Sequence, residues 1–486
     1  MTSLPRQSAR RNDFGGFMVF SSLTFLFIFL MPVVLLHRFA PVYLRNGILL
    51  AASLLFYAWG EPVYIVVMLF SSLVDYFAGR FMDRYDSDNK KRTGALLVSL
   101  IINLGLLFVF KYSSFFIGTL NDITGLSISD PKLPLPIGIS FYTFQSMSYT
   151  IDLYMRRIKV QKNALSFITY VSLFPQLVAG PIVRYEDVQN EIDSREVTFS
   201  GIGEGVGIFV RGLAKKVLLA NNIGLLWTQV KAEDFSSISM LSAWLGIVAF
   251  SMQIYFDFSG YSDMAIGLGH MFGFRFPKNF DHPYTAGSVT EFWRRWHMTL
   301  TGWFRTYVYI PLGGNRRGTF KTLRNIVIVW ALTGLWHGAS WNFVLWGLYF
   351  ALILIIEKNF LMPFLEKLPR IVRCLYSYIL VLFGWVLFDT DTLSDSAAFI
   401  RAMFGGNGVI VGSDALYRLR SYFLILLLCI IACGRIREKL LAWLLSLKNG
   451  KTALCVAAPV IELALMLVCT AYLVNETYNP FLYFRF

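Results

Sequence analysis

Two of the five histidines lie inside long apolar segments that are rich in tryptophan. His297 ends the segment 292–297 (FWRRWH), and His337 lies within 335–342 (LWHGASWN). Ionisable side chains are costly at membrane depth and usually face a cavity there. A histidine can act as a general base, since its ordinary pKa of about 6.5 suits proton transfer near neutral pH. The alternative is a neutral imidazole bonded to a backbone carbonyl between helices.

Further polar side chains accompany the histidines in apolar segments. The candidates for lining a hydrophilic tunnel are Gln145, Gln176, Asp257 and Asn342. Asp257 belongs to the unusually polar run 255–263 (YFDFSGYSD), whose carboxylates could instead pair with arginines for packing. Both interpretations remain open at this point.

Arginines are concentrated between residues 294 and 317. Arg294, Arg295, Arg316 and Arg317 are candidates for binding the phosphates of a thioester donor, because guanidinium groups match phosphate geometry. A positive-inside membrane anchor explains the same cluster. The C-terminal residues 479–486 (NPFLYFRF) also allow two interpretations. They could be an interfacial aromatic anchor, or the Tyr483 hydroxyl could accept an acyl group.

The chain lacks the usual motifs of hydrolytic and metal catalysis. It contains no Gly-x-Ser-x-Gly, His-Glu-x-x-His or Gly-x-x-x-x-Gly-Lys-Ser/Thr pattern. The five cysteines have no metal-ligand spacing and are interpreted as small packing residues. We therefore expect no metal and no tightly bound cofactor.

The composition is that of a membrane protein. Of 486 residues, 56% are hydrophobic and only 15% are charged, against about 25% charged in an ordinary soluble chain. So few polar groups cannot cover that much apolar surface. Soluble enzymes, disulfide-stapled domains and disordered proteins are excluded. The net charge of +14 indicates basic loops, since no basic domain interleaved with aromatic residues points to nucleic acid.

Apolar segments predict the membrane spans. They cover residues 17–36, 46–59, 62–78, 95–117, 136–155, 165–180, 205–227, 238–256, 258–274, 291–310, 322–336, 338–356, 371–388, 420–433 and 453–474. Helix is expected, because lipid offers no partner to backbone amides. Several segments are shorter than the roughly 20 residues of a perpendicular span, and Gly or Pro interrupts many. Broken helices are tolerated only beside protein or a water-filled cavity, so we expect a central funnel or tunnel.

Basic loops predict the orientation of the spans. Residues 79–93, 156–163 and 434–451 are rich in Lys and Arg and are expected in the cytoplasm. The last span then delivers the C-terminal tail to the outer face. The same count places the N-terminus outside, although residues 1–13 contain three arginines. We give the internal loops more weight, because they agree with one another.

Five motifs together resemble the membrane-bound O-acyltransferase family. They are PLPIGISFYTFQ (134–145), FPQLVAGPI (174–182), FWRRWHMTL (292–300), PLGGNRRG (311–318) and WHGASW (336–341). Within the family they resemble the bacterial alginate O-acetylation branch, which is related to the D-alanyl transfer proteins of teichoic acid. The resemblance runs from about residue 18 to the C-terminus. It divides the chain into an N-terminal extension (1–17), a membrane domain (18–474) and an extracytoplasmic tail (475–486).

The resemblance implies an all-α ring of transmembrane helices around a thin waist, with a cytoplasmic funnel facing an outer one. His337 matches the invariant histidine at the waist, and His297 matches the second histidine or Asn/Asp position. The tail is similar to the Phe-x-Tyr-Phe-x-Phe motif of the polymer-acylating branch, in which a tyrosine, here Tyr483, is proposed to hold the acyl group. The implied partners are membrane lipids, an acyl donor (acetyl-CoA or a phosphopantetheine acyl carrier), an extracytoplasmic SGNH-type acetyltransferase and a polysaccharide acceptor.

Our leading hypothesis is a multi-pass enzyme of the bacterial cytoplasmic membrane that passes an acyl group, acetyl by resemblance, from a cytoplasmic thioester to the outer face. Two alternatives remain open. One is a polytopic transporter or flippase whose histidines and carboxylates relay protons, although we find no convincing inverted repeat. The other is a family member that acylates a protein or lipid hydroxyl directly.

Overall fold

The computed structural model describes residues 18–178, 180–475 and 481–482, and every regular element in these ranges is a helix. Eight of the described helices are long and apolar enough to cross a membrane. The predicted class, an all-α polytopic membrane protein, is therefore confirmed. The predicted N-terminal extension (1–17) and most of the predicted tail lie outside the described residues.

The first half of the chain leads to one long central helix. Its helices are α1 (Met31–Phe39), α2 (Val42–Gly60), α3 (Ile65–Arg84), α4 (Asn89–Leu107), α5 (Ser113–Thr124), α6 (Ile139–Tyr154), α7 (Ala164–Ser172), α8 (Phe174–Leu177), α9 (Tyr185–Ser194), α10 (Phe199–Ala214), α11 (Asn221–Lys231) and α12 (Met240–Met271). A π-helical turn, Thr24–Leu30, precedes α1. Two further π-helical turns, Phe108–Tyr112 and Lys215–Ala220, join α4 to α5 and α10 to α11.

The second half begins with two short helices and ends with a long one. Its helices are α13 (Val289–Arg295), α14 (Met298–Phe304), α15 (Thr319–His337), α16 (Trp341–Ile356), α17 (Met362–Leu365), α18 (Arg370–Asp389), α19 (Leu393–Met403), α20 (Ser413–Cys433), α21 (Ile436–Ser446) and α22 (Gly450–Asn475). A 3-10 turn, Pro283–Thr285, precedes α13. π-helical turns follow α14 and α16 at Arg305–Tyr309 and Glu357–Leu361.

Helix α12 is the centre of the packing and corrects one prediction. The sequence predicted separate spans at 238–256 and 258–274, but α12 is continuous through the polar run 255–263. No break is needed, because Asp257 is neutralised inside the protein by Lys216. The backbones of α10 and α12 also touch: a Cβ on Gly212 would lie 2.6 Å from the carbonyl oxygen of Gly260. Small residues allow this approach, as in other membrane helix pairs.

Two predicted spans are interrupted inside the protein. The segment 165–180 contains α7 and α8 with a break at Leu173, and the segment 291–310 contains α13 and α14 with a break at His297. Both breaks are buried, so surrounding protein replaces lipid as the neighbour of the freed backbone groups. One of the two candidate histidines, His297, lies at the second break.

The three basic loops lie at one end of the helix assembly. Arg156 Nη2 donates to the Asp86 carbonyl at 2.7 Å, which joins the first two loops. Gln161 Nε2 donates to Asp193 at 2.9 Å, and Arg195, two residues later, donates to the Phe272 carbonyl at 3.1 Å. From there the loop 272–288 reaches the third basic segment, where Arg435 pairs with Asp281 at 3.3 Å. This common end is called the basic end below.

Candidate active site

His337 is the last residue of α15 and lies among aromatic rings. It is 5% exposed. Its ring centroid lies 5.0 Å from those of Trp336 and Trp346, and 5.3 Å from that of Phe388. The imidazole therefore lies in a largely apolar pocket, and the surrounding rings restrict its orientation.

The glycine after His337 has a packing role. A Cβ on Gly338 would collide with the ring of Phe343. The contact with α16 is enough to explain this glycine by packing.

A lysine and a tyrosine from another helix hold the end of α15. Lys111 Nζ donates to the Trp336 carbonyl at 2.5 Å, and Tyr112 Oη donates to the Leu335 carbonyl at 2.9 Å. The last carbonyls of a helix have no partner within the helix and favour a cation. Lys111 and Tyr112 therefore fix the turn that carries His337. Sequence reasoning missed Lys111, although a single lysine between aromatic residues within a predicted span was a usable signal.

His297 connects α13 to α14 in a strained backbone conformation. Its φ is 43°, in the left-handed region that non-glycine residues rarely adopt. Backbone hydrogen bonds hold the chain on both sides of it. Asp281 N donates to the Arg295 carbonyl at 2.9 Å, and Met298 N donates to the Asn279 carbonyl at 2.9 Å. It is 2% exposed. Strain of this kind persists only where surrounding contacts impose it, and it is concentrated at functional sites.

Asn279 is the polar partner of His297. Its Oδ1 lies 3.1 Å from His297 Nδ1 and also receives hydrogen bonds from Thr299 N at 3.2 Å and Thr299 Oγ1 at 2.9 Å. His297 Nε2 is buried and has no hydrogen-bond partner within the described ranges. Sequence reasoning missed Asn279, because it lies in a short turn before Pro283, outside the apolar segments that drew attention to the histidines.

His297 and His337 line the same cavity, which has a volume of about 150 Å³. Its other lining residues are Trp293, Leu300, Thr301, Phe304, Arg305, Tyr309, Val329, Trp330 and Thr333. The structure thus brings together two histidines that are 337 − 297 = 40 residues apart. Helices α14 and α15 form two of its walls.

The cavity runs from the histidines toward the basic end. Arg305 and Tyr309 lie on the π-helical turn that follows α14, away from His297. On the same turn, Tyr307 Oη donates to Asp152 at 2.5 Å, and Asp152 pairs with Arg157 of a basic loop at 3.2 Å. The arginine end of the cavity therefore points toward the side that the sequence predicts to be cytoplasmic.

The four arginines proposed for donor binding occupy two different environments. Arg295 pairs with Glu291 and donates to Thr285 Oγ1 at 3.0 Å, so it is committed to its own helix and to the 3-10 turn before that helix. Arg294, Arg316 and Arg317 are exposed and form no ion pair with any described residue. None of the four lines the cavity, whereas Arg305 from the same region does. Their role in donor binding stays a prediction.

Three of the proposed tunnel residues make single hydrogen bonds to backbone carbonyls. Gln145 and Gln176 both donate to the Tyr170 carbonyl, at 3.1 and 2.6 Å, and Asn342 donates to the Thr390 carbonyl at 2.9 Å. None of them lines the cavity between the two histidines. Their assignment to a tunnel stays a prediction.

The fourth, Asp257, binds the C-terminal segment. One carboxylate oxygen accepts a hydrogen bond from Leu482 N at 2.9 Å, while the other pairs with Lys216. Phe481 is 1% exposed, and its ring stands edge-on to that of Tyr261 at 4.4 Å. Residues 481–482 are thus buried in the membrane domain.

The docked segment and His297 contact successive residues of α12. Phe258, the neighbour of Asp257 in α12, has its ring 4.7 Å from that of His297. Tyr483, the candidate acyl acceptor, lies outside the described residues. Leu482, the residue before Tyr483, is bonded to Asp257. The next residue of α12 is Phe258, which contacts His297.

A group of possible metal ligands lies at the basic end. Asp281, His282 and Glu438 place three ligand atoms within 4.8 Å of one another. Asp281 already pairs with Lys278 at 2.7 Å and with Arg435, and the hydrogen bond from Lys278 holds the pKa of this carboxyl below its usual range. Cations thus already balance this cluster, which connects the loop of Asn279 to the start of α21.

Comparisons with known proteins agree with the sequence resemblance. The family model of the membrane-bound O-acyltransferases matches residues 155–388, a range that contains both histidines and excludes the tail. The chain is 40% identical to a probable alginate O-acetylase AlgI of Azotobacter vinelandii, over 80% of the chain and 78% of that protein. It is 34% identical to a peptidoglycan O-acetyltransferase of Helicobacter pylori, over 81% of each. A teichoic acid D-alanyltransferase of Streptococcus thermophilus is 30% identical, over 46% of the chain and 57% of that protein.

Proposed function

Because the chain belongs to the membrane-bound O-acyltransferase family and is an O-acyltransferase, we propose that it passes an acetyl group from a cytoplasmic thioester to the outer face of the cytoplasmic membrane, for O-acylation of a polysaccharide. The observation that carries this proposal is the shared cavity of His297 and His337. Two buried imidazoles beside one cavity supply the proton acceptor that attack of a hydroxyl on a thioester requires.

The size of the cavity supports a short acyl group. A volume of about 150 Å³ is comparable to an apolar cavity that holds one benzene molecule. An acetyl or alanyl thioester fits that space, whereas a long fatty acyl chain does not. The D-alanyl transfer proteins among the relatives keep alanyl as the second candidate, and the acetylases favour acetyl.

The charge distribution supports entry of the donor from the basic end. Coenzyme A and a phosphopantetheine arm both carry phosphate, which cannot enter apolar core unpaired. Arg305 lines the cavity, and Arg316 and Arg317 are exposed on the loop that follows. In the proposal these guanidinium groups bind the donor phosphates while the acyl end reaches the histidines.

The chemical step needs two proton transfers and one exchange of bonds. His337 takes the proton of the attacking hydroxyl as its oxygen bonds to the thioester carbonyl carbon. The bond between carbon and sulfur then breaks, and the imidazolium returns the proton to the leaving thiolate. His297 orients the thioester or steadies the charge that develops. Such base catalysis is worth about 10²- to 10⁴-fold in rate.

The tail supports an acyl relay through Tyr483. Leu482 is bonded to Asp257, and Phe481 is buried against α12, so the chain next to Tyr483 enters the membrane domain. An acetyl ester on the tyrosine would travel only a short distance before a separate extracytoplasmic SGNH-type transferase took it to polysaccharide. In this scheme coenzyme A never crosses the membrane.

Labelled acetyl-CoA tests the proposed reaction. Purified protein in proteoliposomes receives the donor on one side, and release of free thiol and label on the protein are followed. We expect thiol release that depends on His337 and label that is recovered in the C-terminal peptide. A transporter would instead move solute without the thioester and would leave no acyl adduct.

Two matched substitutions test the relay. Tyr483→Phe removes the proposed acceptor, while Tyr472→Phe removes a half-exposed hydroxyl of α22. We expect the first to abolish label on the tail and the second to leave it intact. If Tyr483→Phe retained full polymer acylation, the relay through Tyr483 would be wrong, whereas the proposed role of the histidines would not be affected. Transfer of label to polysaccharide in the absence of the SGNH-type enzyme would contradict the proposal that this partner is required.

A further inference from the structure

The two nitrogens of His297 are in opposite situations. Nδ1 lies 3.1 Å from Oδ1 of Asn279. Nε2 is buried and has no hydrogen-bond partner in the described part of the chain. Since the ring also lines the cavity, Nε2 is the polar atom that His297 can offer to a bound molecule.

A backbone amide identifies the atom of Asn279 that faces the histidine. Thr299 N can only donate, and it lies 3.2 Å from the same Asn279 atom. The other terminal atom of Asn279 donates to Ser262 Oγ at 3.0 Å. The atom facing His297 is therefore the carbonyl oxygen, which can only accept. The proton of the neutral ring must then lie on Nδ1.

The same contacts prevent the asparagine from turning over. Rotation by half a turn would place the Asn279 amino group against Thr299 N, donor against donor. It would also leave the hydroxyl of Thr299 without its acceptor, and that hydroxyl already accepts a hydrogen bond from Ile182 N at 3.0 Å. Asn279 is thus locked from three sides.

We propose that Asn279 is a positioning residue that holds His297 with its proton on Nδ1, so that Nε2 presents a lone pair to the cavity. This inference rests on the proposed function for its substrate. It narrows the role of His297, which that proposal left as either orienting the thioester or steadying the developing charge. A neutral ring in this tautomer cannot donate to a developing oxyanion through Nε2. His297 instead receives a hydrogen bond and orients the group that gives it.

The group that meets Nε2 must carry an N–H or O–H. Two substrates of the proposed reaction supply such donors. The attacking hydroxyl has one, and its donation to His297 in place of His337 would exchange the roles of the two histidines. The pantetheine arm has the other, an amide N–H two methylenes from its sulfur. Both use the same acceptor, and substrate analogues tell them apart.

Nitrogen NMR tests the tautomer without any reaction. The chain has five histidines, so selective ¹⁵N-histidine labelling gives few signals, and the signal lost in His297→Gln identifies His297. We expect a protonated Nδ1 and a bare Nε2 in the unmodified protein, and loss of that pattern in Asn279→Leu. A protonated Nε2 in the unmodified protein would overturn the proposal, whatever the protein is found to acylate.

Kinetics test the consequence of the tautomer. We expect Asn279→Leu to lower kcat/KM by about 10- to 100-fold, the range seen when partners that orient a histidine are removed from other sites. Asn279→Asp keeps an accepting oxygen beside Nδ1, so its loss of kcat/KM should be smaller than that of Asn279→Leu. Asn222→Leu is the matched control, since Asn222 only donates to the carbonyls of Val217 and Leu218. Unchanged kinetics in Asn279→Leu would overturn the proposal.

A pair of small donors identifies the source of the hydrogen bond. S-acetyl-N-acetylcysteamine has the amide N–H, and 2-(acetylthio)ethyl acetate has an ester oxygen in its place. If the pantetheine amide meets Nε2, the amide analogue should be preferred by the unmodified protein and not by Asn279→Leu. If the hydroxyl meets Nε2, both analogues should lose rate equally in Asn279→Leu.

Discussion

The two ends of the cavity between α14 and α15 are built in opposite ways. At the inner end, called the waist, His297 and His337 are buried, and protein contacts fix them through Asn279 and through the end of α15. At the other end, called the rim, Arg305 and the nearby Arg316 and Arg317 are exposed. None of these arginines forms an ion pair with a described residue.

This difference separates two tasks. A proton acceptor must be placed to within a fraction of an ångström, which requires packing and hydrogen bonds around it. Capture of a mobile phosphate requires only charge within reach, and exposed arginines retain the freedom to adapt. Changes at the waist should therefore lower kcat, and changes at the rim should raise KM.

The largest effect is expected when the waist loses its histidines. His297→Ala and His337→Ala should each lower kcat by about 10²- to 10⁴-fold. The double variant should be little worse than the poorer single variant, because groups that act as a unit are not additive. His270→Ala is the control, since His270 lies at the end of α12 and pairs with Glu204 at 3.6 Å. Fully additive losses would show that the two histidines act independently.

A smaller effect is expected when the support of α15 is removed. Lys111→Met takes away the hydrogen bond to the Trp336 carbonyl and leaves that carbonyl without its cation. We expect kcat to fall by about tenfold, and thermal stability to fall by an amount typical of a lost buried hydrogen bond, about 1–3 kcal/mol. Lys162→Met, at an exposed position, is the control. A change in KM with no change in kcat would indicate that Lys111 acts in donor binding, like the arginines of the rim, and not in positioning His337.

Removing charge from the rim should have a milder and different effect. Arg305→Gln should raise KM for acetyl-CoA by roughly threefold to tenfold at low salt, with kcat nearly unchanged. Arg316→Gln and Arg317→Gln should each have smaller effects, because these residues do not line the cavity. The differences should shrink in 0.5 M salt, since exposed charges are screened. A loss of kcat without a change in KM would contradict the division of tasks.

The smallest effect is expected at the ion pairs of the basic end. The hydrogen bond from Lys278 lowers the pKa of Asp281 in the folded protein. Its stabilising contribution is therefore present above the unfolded pKa of about 3.9 and is lost as the pH falls through the lower folded pKa. Asp281→Asn should cost less than about 1 kcal/mol of stability at pH 7. The two proteins should converge once the pH lies below the folded pKa of Asp281. Thermal unfolding across pH measures this, with exposed Asp122→Asn as control.

Local sequence pattern was enough to predict much of the fold and the identity of the two histidines. Apolar runs predicted most helices, because helix is the available structure for such runs in lipid. His297 and His337 stood out because each lies in an apolar, tryptophan-rich segment. The convergence of the two on one cavity followed from the family resemblance and not from spacing.

The remaining features depend on partners that are distant in the chain. Lys111 is 225 residues from Trp336, and Lys216 is 41 residues from Asp257. Periodicity reports which face of a helix is apolar and carries no information about such pairs. The unbroken course of α12 was therefore missed, because the partner of its carboxylate was unknown. Asn279 was missed for the same reason, although it is only 18 residues from His297.

The location of the bound donor tests the central claim most directly. Cryo-electron microscopy of the protein with a non-reactive ketone analogue of acetyl-CoA, in which a methylene replaces the sulfur, would show where the acyl end lies. The account predicts the acetyl group inside the cavity, in contact with His297 and His337, with the phosphates at the rim. An acyl end bound elsewhere, with the cavity unoccupied, would contradict it.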